Sequence, residues 1–113
     1  MTRILLERKK DGTLVSCRAR GHAGYALCGT DIVCSALTVL LRTTMQVLAE
    51  TDGLELKTDY PERGVLSFSV GCCSSNKLAE VCLVYAGIFL EKGFDSLKKE
   101  FPAYIELEKR TVL

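Results

Sequence analysis

Apolar and polar residues alternate from Thr2 to Lys9, with Ile4 and Leu6 on one face, and a period of two predicts a strand. Lys10-Asp11-Gly12-Thr13 supplies a reversal, because Asp-Gly suits the tight turn of a hairpin. From Leu14 to Gly21 the alternation resumes, setting Val15, Cys17 and Ala19 against Ser16, Arg18 and Arg20. The period then changes. Val33, Ala36, Leu37, Leu40, Val47 and Leu48 recur at helical spacing, which predicts a helix from Thr30 or Asp31, either a good N-cap, to about Glu50. Thr51-Asp52-Gly53 ends it. Leu54 to Tyr60 and Gly64 to Val70 predict two further strands joined through Pro61-Glu62-Arg63, with Leu54, Leu56, Leu66, Phe68 and Val70 facing inward.

After the small, polar break Gly71-Cys72-Cys73-Ser74-Ser75, a second helix is expected with Ser75 as its cap. Leu78, Val81, Cys82, Tyr85, Ile88 and Phe89 form its expected core stripe, and Gly93 marks a kink or an end. Beyond Pro102, Tyr104 to Lys109 alternates again and predicts a last strand. The order β-β-α-β-β-α-β implies a single α+β domain over residues 1–113. It has two layers, a mostly antiparallel sheet covered on one face by two helices. The other sheet face then needs water or a partner, and the pattern is compatible with a dimer.

Composition narrows the function. The chain has 113 residues, 48% of them hydrophobic, enough for a packed core. Fifteen basic against 14 acidic residues leave a net charge of +1, too little for a general attraction to nucleic acid or an anionic membrane. The cations that crowd the N-terminal third (Arg3, Arg8, Lys9, Lys10, Arg18, Arg20) are expected on a solvated face. The start of the chain shows no secretory pattern and no long uninterrupted apolar run, so a cytoplasmic protein without a membrane role is expected. The six cysteines should then be reduced thiols. None forms a C-x-x-C pair and there is one histidine, so neither a metal site nor a cofactor is expected.

That histidine directs attention to residues 21–34. His22 leaves the second strand, and Cys34 lies at what the pattern makes the first turn of a helix. A base and a thiol at the two ends of a glycine-containing loop are the parts of an activated cysteine nucleophile. Helix-start amides and a nearby imidazolium both favour thiolate, and the same amides would receive an oxyanion. Asp31 either caps the helix or orients His22. Cys28 lacks the helix-start setting and ranks below Cys34. The same residues fit a plainer reading, a buried cysteine and a surface histidine without chemistry.

The run Gly21-His22-Ala23, followed by Gly29-Thr30-Asp31-Ile32-Val33-Cys34-Ser35-Ala36, resembles the ribosomal-processing cysteine protease family (Prp, YsxB-like). Length and element order extend the resemblance over essentially the whole chain. It implies a homodimeric cysteine endopeptidase whose substrate is a ribosomal protein precursor, cut to remove the N-terminal extension of large-subunit ribosomal protein twenty-seven. Carried over, Cys34 is the nucleophile and His22 the general base. Asp31 matches the acid of the motif, and Gly21, Gly24 and Gly29 match glycines of the substrate loop. Ser35 stands where alanine is common. Thr38 stands where serine is frequent and keeps the supporting hydroxyl. Two rivals remain: a non-catalytic module binding ribosomal components or RNA, and a redox protein pairing Cys34 with Cys28. The low net charge and the lack of tryptophan or an aromatic platform speak against the first, and the missing C-x-x-C against the second.

Overall fold

The structure, a computed structural model, describes residues 1–21, 28–59, 64–73 and 75–113, with residues 28–31 described in their backbone only. Strands β1 (Thr2–Lys9) and β2 (Leu14–Arg20) form the expected hairpin, followed by α1 (Cys28–Ala49), β3 (Leu54–Asp59) and β4 (Val65–Cys72). Helix α2 (Lys77–Glu100) and β5 (Ile105–Val112) complete the chain. The sheet order is β3-β4-β2-β1-β5. Every pair is antiparallel except β1 with β5, so this is the predicted two-layer α+β arrangement.

The hairpin turn is built locally. The Asp11 carboxylate accepts from the backbone N–H and the hydroxyl of Thr13 at 3.0 and 2.7 Å, which holds its pKa below the usual value. Glu7 faces Ser16 but Arg8 faces Leu14, so Val15 is an extra residue in β2. This bulge is why Leu14, and not Val15, enters the core. In β1, alternation from Ile4 and Leu6 puts Arg8 beneath α2, where its guanidinium donates to the Gly12 carbonyl at 3.0 Å and meets Glu91 at 3.3 Å. A Cβ on Gly87 would lie 2.7 Å from Arg8 Nε, so α2 crosses the strand at a residue without a side chain.

The helices bury stripes that differ in part from the expected ones. In α1, Val33, Leu37 and Leu48 are buried as predicted, Leu41 and Met45 join them, and Val47 is exposed. In α2 the buried residues are Ala79, Leu83, Gly87, Leu90 and Phe94. Leu78, Val81, Tyr85 and Phe89, expected in the core, are exposed, while Cys82 and Ile88 are half-buried. The helix carries two apolar stripes, and the one with Ala79 and Gly87 lets the backbone approach the sheet. Asn76, not Ser75, caps α2, its side chain accepting from the N–H groups of Leu78 and Ala79. Gly93 neither ends nor caps the helix; a Cβ there would meet Leu40 Cδ1 at 3.0 Å, so it marks close packing on α1.

The sheet's second face is polar. Arg3, Arg18 and Arg20 share it with Glu106 and Glu108 around one shallow depression, and Arg3 pairs with Glu106 at 3.2 Å. Arg3, Arg18 and Arg20 thus stand beside acids on a solvated face, whereas Arg8, expected with them, lies beneath α2. The stretch Ile32–Ala49 has a mean hydropathy of 1.6, apolar and long enough by composition to cross a membrane; here its buried side covers the sheet.

Candidate active site

Cys34 lies on the flank of α1, half-buried, between the core stripe and solvent. It lines a cavity of about 250 Å³ between α1 and one end of the sheet. The α1 wall is Cys34, Leu37, Thr38, Leu41 and Arg42, and the sheet wall is Thr2, Ala19, Gly21, Val65 and Leu66. Cys34, Thr38 and Arg42 are spaced i, i+4, i+8 and so form one row along the helix. Thr38 Oγ1 donates to the Cys34 carbonyl at 2.7 Å, which ties the expected supporting hydroxyl to the backbone of the thiol residue.

Gly21 fixes the other side. Its φ is +108°, a conformation that glycine adopts without strain, and a Cβ there would lie 2.5 Å from the Met1 carbonyl oxygen. Its N–H donates to the Gly64 carbonyl at 3.0 Å. The residue that precedes His22 is therefore clamped between the first residues of the chain and the approach to β4, at the edge of the cavity that holds Cys34. His22 and Gly24 themselves lie outside the described residues.

Two expectations about the helix start are corrected. Helix α1 begins at Cys28, so Thr30 and Asp31 are inside the helix and Gly29 belongs to its first turn, not to a loop. Low helix propensity matters little there, because first-turn N–H groups have no intrahelical acceptor to lose. Cys34 is consequently in the second turn. Its N–H lies past the unpaired amides, so neither the thiolate nor an oxyanion gains from a helix start at Cys34 itself.

The other thiols among the described side chains, which do not include Cys28, differ from Cys34. Cys17 has no exposed surface, and burial pushes its thiol up to about 12. Cys82 is half-buried with its sulfur 3.7 Å from Thr51 Oγ1. Cys72 and Cys73 are exposed at the far end of β4, where the Cys73 N–H donates to the Gly53 carbonyl. Sequence reasoning missed Thr2 and Arg42 as cavity residues. Arg42 was recoverable from its i+8 spacing to Cys34, whereas Thr2 reaches the cavity only through the sheet pairing.

A half-buried thiol on a helix flank, lining a cleft at the end of a sheet, is an arrangement compatible with a cysteine hydrolase on an α+β scaffold. The family model for cysteine protease Prp matches residues 1–106, and the chain belongs to that family of cysteine proteases. The ribosomal processing protease Prp from S. aureus, solved with a substrate peptide, is similar in fold at 17% identity and a TM-score of 0.72. That likeness covers 96% of this chain and 99% of that one. The same S. aureus protease with a covalently linked product peptide has 18% identity, equal coverage and a TM-score of 0.72. SMU.848 from Streptococcus mutans is 26% identical with a TM-score of 0.75, covering 99% of this chain and 96% of its own. None of the curated proteins compared matches the chain.

Proposed function

We propose that this protein is a cytoplasmic ribosomal-processing endopeptidase that removes the N-terminal extension of large-subunit ribosomal protein twenty-seven through Cys34 and His22. The observation that carries the site assignment is that Gly21, the neighbour of His22, lines the same cavity as Cys34. Support for the substrate comes from the solved S. aureus relatives, a ribosomal processing protease held with substrate and product peptides. His22 takes the thiol proton, and Cys34 Sγ bonds to the scissile carbonyl carbon. The C–N bond breaks as His22 returns the proton to the leaving amine. Water, deprotonated by His22, then cleaves the thioester and restores the thiol. Asp31 is left to the first turn of α1, where a carboxylate is favoured by the helix dipole.

A peptide spanning the extension junction, incubated with the protein, should yield one new terminus by mass spectrometry. Cys34→Ala should give none while keeping the parent circular dichroism spectrum. His22→Ala should lower kcat by roughly 10²–10⁴, the usual share of a general base. Cleavage that persists in Cys34→Ala would overturn the assignment.

The protein is further proposed to act as a homodimer through its helical layer. Ile32, Val39 and Val47 of α1 and Leu78, Val81, Tyr85 and Phe89 of α2 are exposed apolar side chains. A groove of Thr43, Val47, Cys82, Tyr85, Ala86 and Phe89 joins the two stripes without a charged residue in its lining. The sheet face expected to meet a partner is instead lined, around its depression, by Arg3, Arg18, Arg20, Glu106 and Glu108.

A further inference from the structure

We propose that Arg42 is a specificity-determining residue, which selects substrates that carry an acidic side chain a few residues from the scissile bond. The inference rests on the peptidase reading above. Arg42 follows Cys34 and Thr38 in one helical row and lines the same cavity, whose other described lining residues carry no charge. It is also the one charged residue between Ile32 and Ala49, a stretch that otherwise meets solvent with threonine, serine, glutamine and apolar side chains. A charge needed only to keep the helix wet would not have to fall in the row of the thiol.

The root of the side chain is fixed by α1, while its charged end is held by nothing. Arg42 is exposed, and its guanidinium makes no hydrogen bond or ion pair with the described residues. Arg3, Arg8 and Arg110, by contrast, are each paired with a glutamate. Arg42 therefore has its whole fork of N–H donors to offer, and the group that matches a planar, permanently charged fork is a carboxylate. The helix also sets the distance. Eight residues separate Arg42 from Cys34, a rise of about 12 Å. An extended peptide advances about 3.3 Å per residue, so one laid along the row passes Arg42 about three or four residues from the bond at Cys34. The long arginine stem shortens that to as little as about two residues. Lysine at the same place in a substrate would meet like charge.

The test uses junction peptides in which Glu, Gln or Lys replaces, one at a time, the second to fourth residues on either side of the scissile bond. At one position the parent should favour the Glu peptide over the Lys peptide by about tenfold in kcat/KM, with Gln between them. The ratio should shrink as salt is raised. Arg42→Gln should bring it close to one, and Arg42→Glu should reverse it in favour of Lys; both variants should keep the parent circular dichroism spectrum, because the side chain is exposed. Equal cutting of the Glu and Lys peptides by the parent at every position, or a Glu preference that survives in Arg42→Gln, would overturn the role of Arg42 and leave the peptidase intact. A parent that cuts none of the peptides, nor the intact precursor, would overturn the peptidase reading and this inference with it.

Discussion

Two cysteines on this scaffold show how position sets thiol chemistry. Cys17 faces inward from a central strand opposite Phe68, with no solvent, and its charged form is disfavoured by desolvation. Cys34 sits half-buried on a cavity wall. The raised Cys17 value has a consequence for stability with a definite sign. Below the ordinary thiol value of 9.0 both folded and unfolded chains keep this proton, and the contribution is fully present. Between 9.0 and about 12 the unfolded chain loses it while the folded chain does not, so stability falls as pH rises. The loss from this group should reach roughly 1–2 kcal/mol by about pH 10.5. Urea unfolding of the parent and Cys17→Ala across this window should show a steeper decline in the parent; parallel declines would mean that burial at residue 17 does not set the slope.

At the level of elements, legibility followed period and failed where two signals competed. The strands were readable because alternation and turn residues agree, as in Ile4 and Leu6 followed by Asp11-Gly12. Helix α1 was readable as a helix but not in its start. Gly29, Thr30 and Asp31 look like loop and cap, yet they also tolerate a first turn, and only the chain path decides between the two. In α2 a long apolar period was correctly a helix and wrongly a core stripe, since hydrophobicity favoured Tyr85 and Phe89 over the small residues Ala79 and Gly87. What decided the buried face was the approach of Arg8 under Gly87, a contact between residues 79 positions apart that no local pattern carries. The cap of α2 lies on the same scale. Asn76 Oδ1 accepts from Leu78 N–H at 3.0 Å and Ala79 N–H at 3.3 Å, and its amide donates to the Asp52 carbonyl at 3.4 Å. Replacement by alanine removes these bonds and should cost about 1 kcal/mol in chemical denaturation. An unchanged midpoint would show that water replaces the cap in full.

For the whole molecule, the exposed stripes of the helices and the Cys34 cavity lie on different flanks of the helical layer. Ile32 and Val39 lie one period of two turns apart on α1, while Cys34 projects from a different flank toward the end of the sheet. A second copy seated on the exposed stripes would thus leave the cavity open to substrate. A standard interface takes roughly 800 Å² from each partner, so a dimer seated here would have to cover the exposed stripes of both helices. Because a two-fold interface presents the same patch from both sides, one introduced charge appears twice and close together. Phe89→Glu, at a residue 51% exposed and on the rim of the apolar groove, should therefore convert dimer to monomer in sedimentation or light scattering while the fold persists. Arg18→Glu, on the polar sheet face, should leave the dimer unchanged. A parent that sediments as a monomer at every concentration would remove the dimer, and a Phe89→Glu dimer would move its interface off the helices. If the monomeric variant still cuts a junction peptide with the parent kcat/KM, the site is complete within one chain, and a loss of cleavage on monomerisation would mean that the partner contributes to it.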